Sequence, residues 1–231
     1  MSFETDIEVK KFLAVLLMIG FFGLLVGGAY LTRVKPPPPE TPLSTLPFLA
    51  EQPDFTLPSV NGNNYTFYND TGKIRVVTFF YTKCPGTQGC ALVSQLMFQL
   101  YSRVLQNATM VESVRFLSID FDYINDTMQD LITYASSYTQ NTTQWNFLLG
   151  NENQTLNVTK SWNFDFSVNN STNSTLSLSH GDGTEPEPYT HSLIVYFVDQ
   201  NNNLRYYVLG NDWDVQTAFE AIQYMYNNPT G

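Results

Sequence analysis

Two nearly continuous apolar runs each lead into a stretch of helical period, a strand-turn-strand-helix pattern closes the chain, and one uncharged run lies near the N-terminus. Together these predict an α/β sandwich of the thioredoxin type with an N-terminal hairpin extension, preceded by one transmembrane helix. Each expectation rests on particular residues.

Residues 12–31, FLAVLLMIGFFGLLVGGAYL, carry no charge and match the ~20 residues that cross a hydrocarbon core as a helix. A cleaved signal peptide has an apolar centre of only ~7–15 residues, which favours a retained anchor, although the small residues Gly27, Gly28 and Ala29 leave cleavage open. The expected organisation is a cytoplasmic tail over residues 1–11, the anchor over 12–31, a linker over 32–50 and a domain over 51–231. Within the linker, RVKPPPPETPLSTLP is extended and semi-rigid, because proline fixes φ and cannot join a helix.

Lys10 and Lys11 on one side of the anchor are balanced by Arg33 and Lys35 on the other, so flanking charge does not set its orientation. The acceptors of Asn-x-Ser/Thr do. Asn64, Asn69, Asn107, Asn125, Asn141, Asn153, Asn157, Asn169, Asn170 and Asn173 qualify, in a chain with only 14% charged residues. That density predicts an extracytoplasmic glycoprotein domain held at the cell membrane by a single pass. The formal net charge of -10 falls on the domain, since Glu4, Asp6 and Glu8 are outweighed by the four basic residues around the anchor. A surface of that sign repels phosphate, so no nucleic-acid role is expected.

The domain opens with DFTLPSVNGNNYTFYNDTGKIRVVTFFYT, in which Asn61-Gly62 between two alternating runs marks a hairpin. Val76–Tyr81 is almost wholly apolar and aromatic, as a strand buried on both faces should be. From Cys90 onward, Leu92, Val93, Leu96, Met97, Leu100 and Val104 recur at spacings of three and four, which predicts an amphipathic helix. SVRFLSIDFD repeats the buried-strand signal, and NDTMQDLITYASSY follows as a helix with Asn125 or Asp126 as its cap. WNFLLG is a further strand, whereas SVNNSTNSTLSLSHGDGTEPEPY is polar and predicts a long surface loop. HSLIVYFVDQNNNLRYYVLG predicts two strands around an asparagine-rich turn, and DVQTAFEAIQYMYN a closing helix.

Cys84 and Cys90 are the chain's two cysteines, and both fall in the turn between the first buried strand and its helix. A domain of this size has no need of a disulfide staple. Chemistry at this turn therefore outweighs a structural disulfide, with a redox pair and a soft-metal site both open.

The succession FTLPSVNGNNYTF, VVTFFYTKCP with its second cysteine, VRFLSIDFD, WNFLLG and HSLIVYFVDQNNNLR resembles the Sco/SenC family over roughly residues 54–225. Those are membrane-anchored thioredoxin-fold proteins implicated in delivering copper to the binuclear copper site of cytochrome oxidase. The resemblance implies that Cys84, Cys90 and His191 bind one copper ion, Cu(I) or Cu(II). Thiolates are soft ligands suited to Cu(I), and imidazole suits either oxidation state. The fold type agrees, since a residue at the start of the strand after the long loop faces the active turn, and His191 stands there. The spacing departs from the family's: CPGTQGCA is C-x5-C rather than C-x3-C, which requires Cys84 to stay in the loop, with Gly86 and Gly89 supplying its freedom. The acidic stretch DFDYIND likewise lacks the family's proline.

The implied function is a membrane-anchored copper chaperone serving a membrane-bound copper acceptor, such as a cytochrome oxidase subunit. The alternative is a thiol-disulfide oxidoreductase using Cys84 and Cys90 as its redox pair, and a third reading is a glycosylated surface protein with a structural disulfide. His180 stands beside Asp182, Glu185 and Glu187 and reads as part of a solvated acidic loop. Met97 and Met110 read as packing residues. Asp120, Asp122 and Asp126 are placed to orient the site or to form a hard-cation cluster, but three carboxylates after a strand read rather as caps and solvated turns than as ligands. No nucleotide-binding glycine pattern, hydrolase triad or zinc spacing is present.

Overall fold

Every residue of Ile74–Phe80 and of Val114–Asp120 is buried, as strands covered on both faces must be, and the sheet is built around this pair. The structure, a computed structural model, describes residues 45–84, 89–168 and 189–229. In chain order its strands are β1 (Ala50–Glu51), β2 (Thr56–Pro58), β3 (Asn64–Thr66), β4 (Ile74–Phe80), β5 (Val114–Asp120), β6 (Trp145–Leu149), β7 (Phe166–Val168), β8 (Tyr189–His191), β9 (Ile194–Val198) and β10 (Asn203–Leu209). Its helices are α1 (Cys90–Leu105), α2 (Met128–Ser136), α3 (Glu152–Ser161) and α4 (Val215–Asn227).

Six strands form the main sheet in the order β1-β10-β9-β4-β5-β6. β4, β5 and β6 are parallel, with Phe80 beside Asp120 and Asp120 beside Leu149. β9 runs antiparallel to β4, so the start of β9 lies at the edge where β4 ends. β2 with β3 and β7 with β8 make two separate hairpins.

Alternation along the strands sends aromatic side chains to both faces. On one face Phe80 meets Tyr134 of α2, and Phe116 and Trp145 meet Tyr101 of α1. On the other, Phe79 packs on Phe164, Trp162 and Tyr196. Trp162 also receives Phe55 and Phe67 from the N-terminal extension, so the predicted hairpin closes the second face of the sheet.

Three local expectations are corrected. The cap of α2 is Thr127, not Asn125 or Asp126: its side chain accepts the Asp130 N–H, and the Asp130 carboxylate accepts the Thr127 N–H in return. α3 was not expected, because its inward positions include Thr155 and Thr159, whose burial leaves little hydropathy signal. His191 ends β8, which stops before Ser192 and Leu193, and so does not begin the long strand that follows.

No helix among the described residues is long and apolar enough to cross a membrane. The expected anchor at 12–31, most of the expected loop and His180 lie outside the described residues.

Candidate metal centre

β4 delivers the chain to the site, and α1 carries it away. After Phe80 come Tyr81 and Thr82, and then Cys84 in irregular backbone; Cys90 is the first residue of α1. Gly89, which caps the helix, has φ +82° and ψ -135°, a conformation that a residue with a Cβ rarely adopts. It offers no side chain to the first turn, and the Cys90 N–H is left to donate to the Cys84 sulfur.

His191 comes from the other side. Its backbone pairs with Phe166 in the β7–β8 hairpin, and its ring sits among Phe121, Tyr81 and Phe164, with centroids 5.1, 5.7 and 6.3 Å away. Nδ1 lies 3.0 Å from the Ser192 carbonyl oxygen. A carbonyl only accepts, so Nδ1 carries the proton and Nε2 keeps its lone pair. That lone pair is 3.4 Å from Cys90 Sγ.

The sulfurs of Cys84 and Cys90 and a ring nitrogen of His191 all lie within 4.8 Å of one another, the one such donor group of three among the described residues. Donors bound to one ion at ~2.0–2.3 Å are separated by at most about 4.6 Å, so little movement closes this set around a metal. Both cysteines are free thiols. Hydrogen bonds to its sulfur, first from the Cys90 thiol and then from the Cys90 N–H and the Tyr81 hydroxyl, outweigh burial and pull the Cys84 thiol down from 9.0 to about 4. The centre thus presents a thiolate, a second sulfur buried to 1% exposure, and an imidazole nitrogen, in a wall of aromatic rings. Such a set can take a soft cation or exchange a disulfide.

The residues singled out in the sequence meet as expected, with Cys84 in the loop and Cys90 on the helix. The carboxylates do not behave as expected. Asp120, Asp122 and Asp126 are 0%, 1% and 6% exposed, so they are buried groups rather than solvated turns. Burial first, then the charge of Asp126, raises the Asp120 carboxyl well above its usual range. Sequence reasoning also passed over Tyr81, Phe121, Phe164 and Tyr189, which shape the centre; aromatic residues in apolar runs read simply as core.

Fold and site together define a thioredoxin-like domain with an imidazole brought over a two-thiol turn. The profile of the SCO1/SenC family matches residues 45–227, and the chain belongs to that family. No curated protein matches it. Among solved structures it is similar to copper-bound ScoI of Arabidopsis thaliana, with 18% identity and a TM-score of 0.61 over 78% of this chain and 99% of that one. Copper-bound yeast Sco1 shares 19% identity with a TM-score of 0.59, over 78% and 90% of the two chains. BsSco, a Sco-family cytochrome c oxidase assembly protein in which a disulfide switch is identified, shares 19% with a TM-score of 0.57, over 80% and 96%. At these identities the likeness is one of fold.

Proposed function

We propose that this protein is a membrane-anchored copper chaperone that binds one copper ion through Cys84, Cys90 and His191. The observation that carries this reading is the convergence of the three donors within 4.8 Å, with Nε2 of His191 free to coordinate. The chemistry fits: thiolate and imidazole donors suit copper, and hard oxygen donors are absent from the set. Copper-bound relatives of the same fold support it. Cys84, itself only part-buried, is open to an acceptor, and transfer proceeds by ligand exchange, the acceptor's donors replacing one ligand at a time. The acceptor is a membrane-bound copper protein such as the binuclear copper site of cytochrome oxidase, a reading that the assembly role of BsSco supports.

Residues 12–31 hold the domain at the cell membrane, and residues 51–231 lie on the extracytoplasmic side, where sequons are used. Asn64, Asn69, Asn141, Asn153 and Asn157 are exposed, as acceptors must be.

A thiol-disulfide oxidoreductase is the second reading, favoured by the lowered Cys84 thiol beside Cys90. One substitution separates the two. On the reduced domain, competition with a chromogenic Cu(I) chelator is expected to show one tight site in the parent. His191→Ala should weaken it by more than the ~10–100-fold that loss of a supporting residue costs, while Cys84→Ser/Cys90→Ser abolishes it. Equal affinity with and without His191 would sink the ligand assignment. Absence of copper binding together with rapid reduction of protein disulfides would establish the oxidoreductase.

A further inference from the structure

The loop between β5 and α2 grips both segments that bring donors to the centre. Asp126 accepts the Thr82 N–H at 2.6 Å and the Thr82 hydroxyl at 2.7 Å, two residues before Cys84. Asp122 accepts the Tyr189 hydroxyl at 2.5 Å, two residues before His191. Asn125 links the two sides, donating to the Asp122 carboxylate at 3.0 and 3.1 Å and to the Tyr189 hydroxyl oxygen at 3.2 Å. The loop is closed on itself by the Asp126 N–H to the Asp122 carbonyl at 3.0 Å and by the Asp122 N–H to Asp120 Oδ1 at 2.9 Å.

The main sheet alone does not hold the histidine. β8 has three residues and pairs with β7 outside the six-stranded sheet; after His191 the chain is held by the Gly210 N–H to the Leu193 carbonyl at 2.9 Å, and before it by the Tyr189–Asp122 bond. Likewise the chain beyond β4 has left the sheet when it reaches Cys84, and Thr82 and Lys83 tie it to the loop, Thr82 through its two bonds to Asp126 and Lys83 through a half-exposed ammonium 3.2 Å from the same carboxylate. Buried carboxylates are costly to desolvate, and full hydrogen bonding makes them specify geometry more than add stability.

We propose that Asp122 and Asp126 are positioning residues of the metal centre: Asp126 sets the Cys84 turn through Thr82, and Asp122 sets His191 through Tyr189. The proposal rests on the metal-centre reading above. The two arms differ in what they control. The Asp126 arm bears on the thiol pair as well as on the metal, and the Asp122 arm only on the third ligand.

Four variants test this with little risk to folding: Thr82→Val, Thr82→Ser, Tyr189→Phe and Asp126→Asn. On reduced protein, Cu(I) affinity by chelator competition should fall about tenfold in Thr82→Val, Tyr189→Phe and Asp126→Asn, and be retained in Thr82→Ser. In the metal-free protein, the disulfide equilibrium of Cys84 and Cys90 against glutathione should shift about tenfold in Thr82→Val and Asp126→Asn, the price of lost preorganisation, and stay put in Tyr189→Phe and Thr82→Ser. Parent-like values for Thr82→Val and Tyr189→Phe in both assays overturn the proposal, as does a loss in Thr82→Ser equal to that in Thr82→Val. If the parent binds no copper, the copper reading fails by itself, and the glutathione comparison of Thr82→Val with Thr82→Ser still decides whether Asp126 positions the thiols.

Discussion

Cys84 gathers donors that differ in kind: a thiol, a helix N-terminal N–H and a phenol all point at one sulfur. Each favours the anion, and together they overcome the burial that opposes it. Between about 4 and 9.0 the folded protein therefore holds a thiolate where an ordinary cysteine holds a thiol. Alkylation of Cys84 by iodoacetamide in the reduced, metal-free protein should be nearly constant from about pH 5 to 8, followed by peptide mass spectrometry. An ordinary thiol would react about tenfold faster per pH unit over that range, and such a rise would show that the convergence of donors does not lower this group. The buried carboxylates teach the complementary lesson. In sequence DFDYIND is polar and follows a strand, which matches a solvated turn, and only the fold reveals that Asp122 and Asp126 each meet a donor from a distant segment.

At the scale of elements, α3 shows how a helix is specified without a hydrophobic stripe. Asn151 and Gln154 cap each other reciprocally, satisfying first-turn N–H groups. Inside the helix, the buried Thr159 hydroxyl bonds back to the Thr155 carbonyl at 2.9 Å, which lets a threonine face the core. The turn into this helix needs Gly150. A Cβ there would meet Leu57 Cδ2 at 2.8 Å, Gln154 Cβ at 2.9 Å and Thr155 Oγ1 at 3.0 Å. Leu57 is 1% exposed and has no free space to yield into. Gly150→Ala is accordingly expected to cost ~1–3 kcal/mol by urea denaturation, the usual penalty for overpacking, with copper affinity unaltered. A stability equal to the parent's would mean that the β6–α3 junction has slack that its contacts do not show.

For the molecule as a whole, Trp162 packs the aromatic side chains of the N-terminal extension onto the sheet, while Ser59 and Val60 pair the extension's main chain with β6. Trp162 is 1% exposed and touches Phe55 and Phe67 on one side and Phe79 and Tyr196 on the other. The Tyr196 hydroxyl donates to its carbonyl at 3.1 Å. Trp162→Ala should remove ~3–5 kcal/mol, since the aromatic layer cannot collapse into so large a void. Limited proteolysis of the variant should cut first within residues 52–70, because the extension then keeps its pairing with β6 but loses its aromatic anchor. Global unfolding without earlier cleavage there would show that the extension and the sheet form one cooperative unit.

The buried strands, the helix beginning at Cys90, the hairpin extension and the closing helix were legible in the sequence, because burial on both faces and helical period leave patterns that need no knowledge of the rest of the chain. The two-thiol turn was legible for the same reason: a strand, two cysteines and a helix are neighbours along the chain. What only tertiary structure decided are the relations between distant residues. His191 is over a hundred positions from Cys84, and no local signal placed its Nε2 3.4 Å from the sulfur of Cys90; the resemblance did. The threonine-faced helix, the break in the chain after His191 and the buried carboxylates were hidden because polar residues acquire their role from partners, and partners are chosen by packing. Apolar residues announce their burial by themselves, whereas a hydrogen bond belongs to two residues and exists only where the fold brings them together.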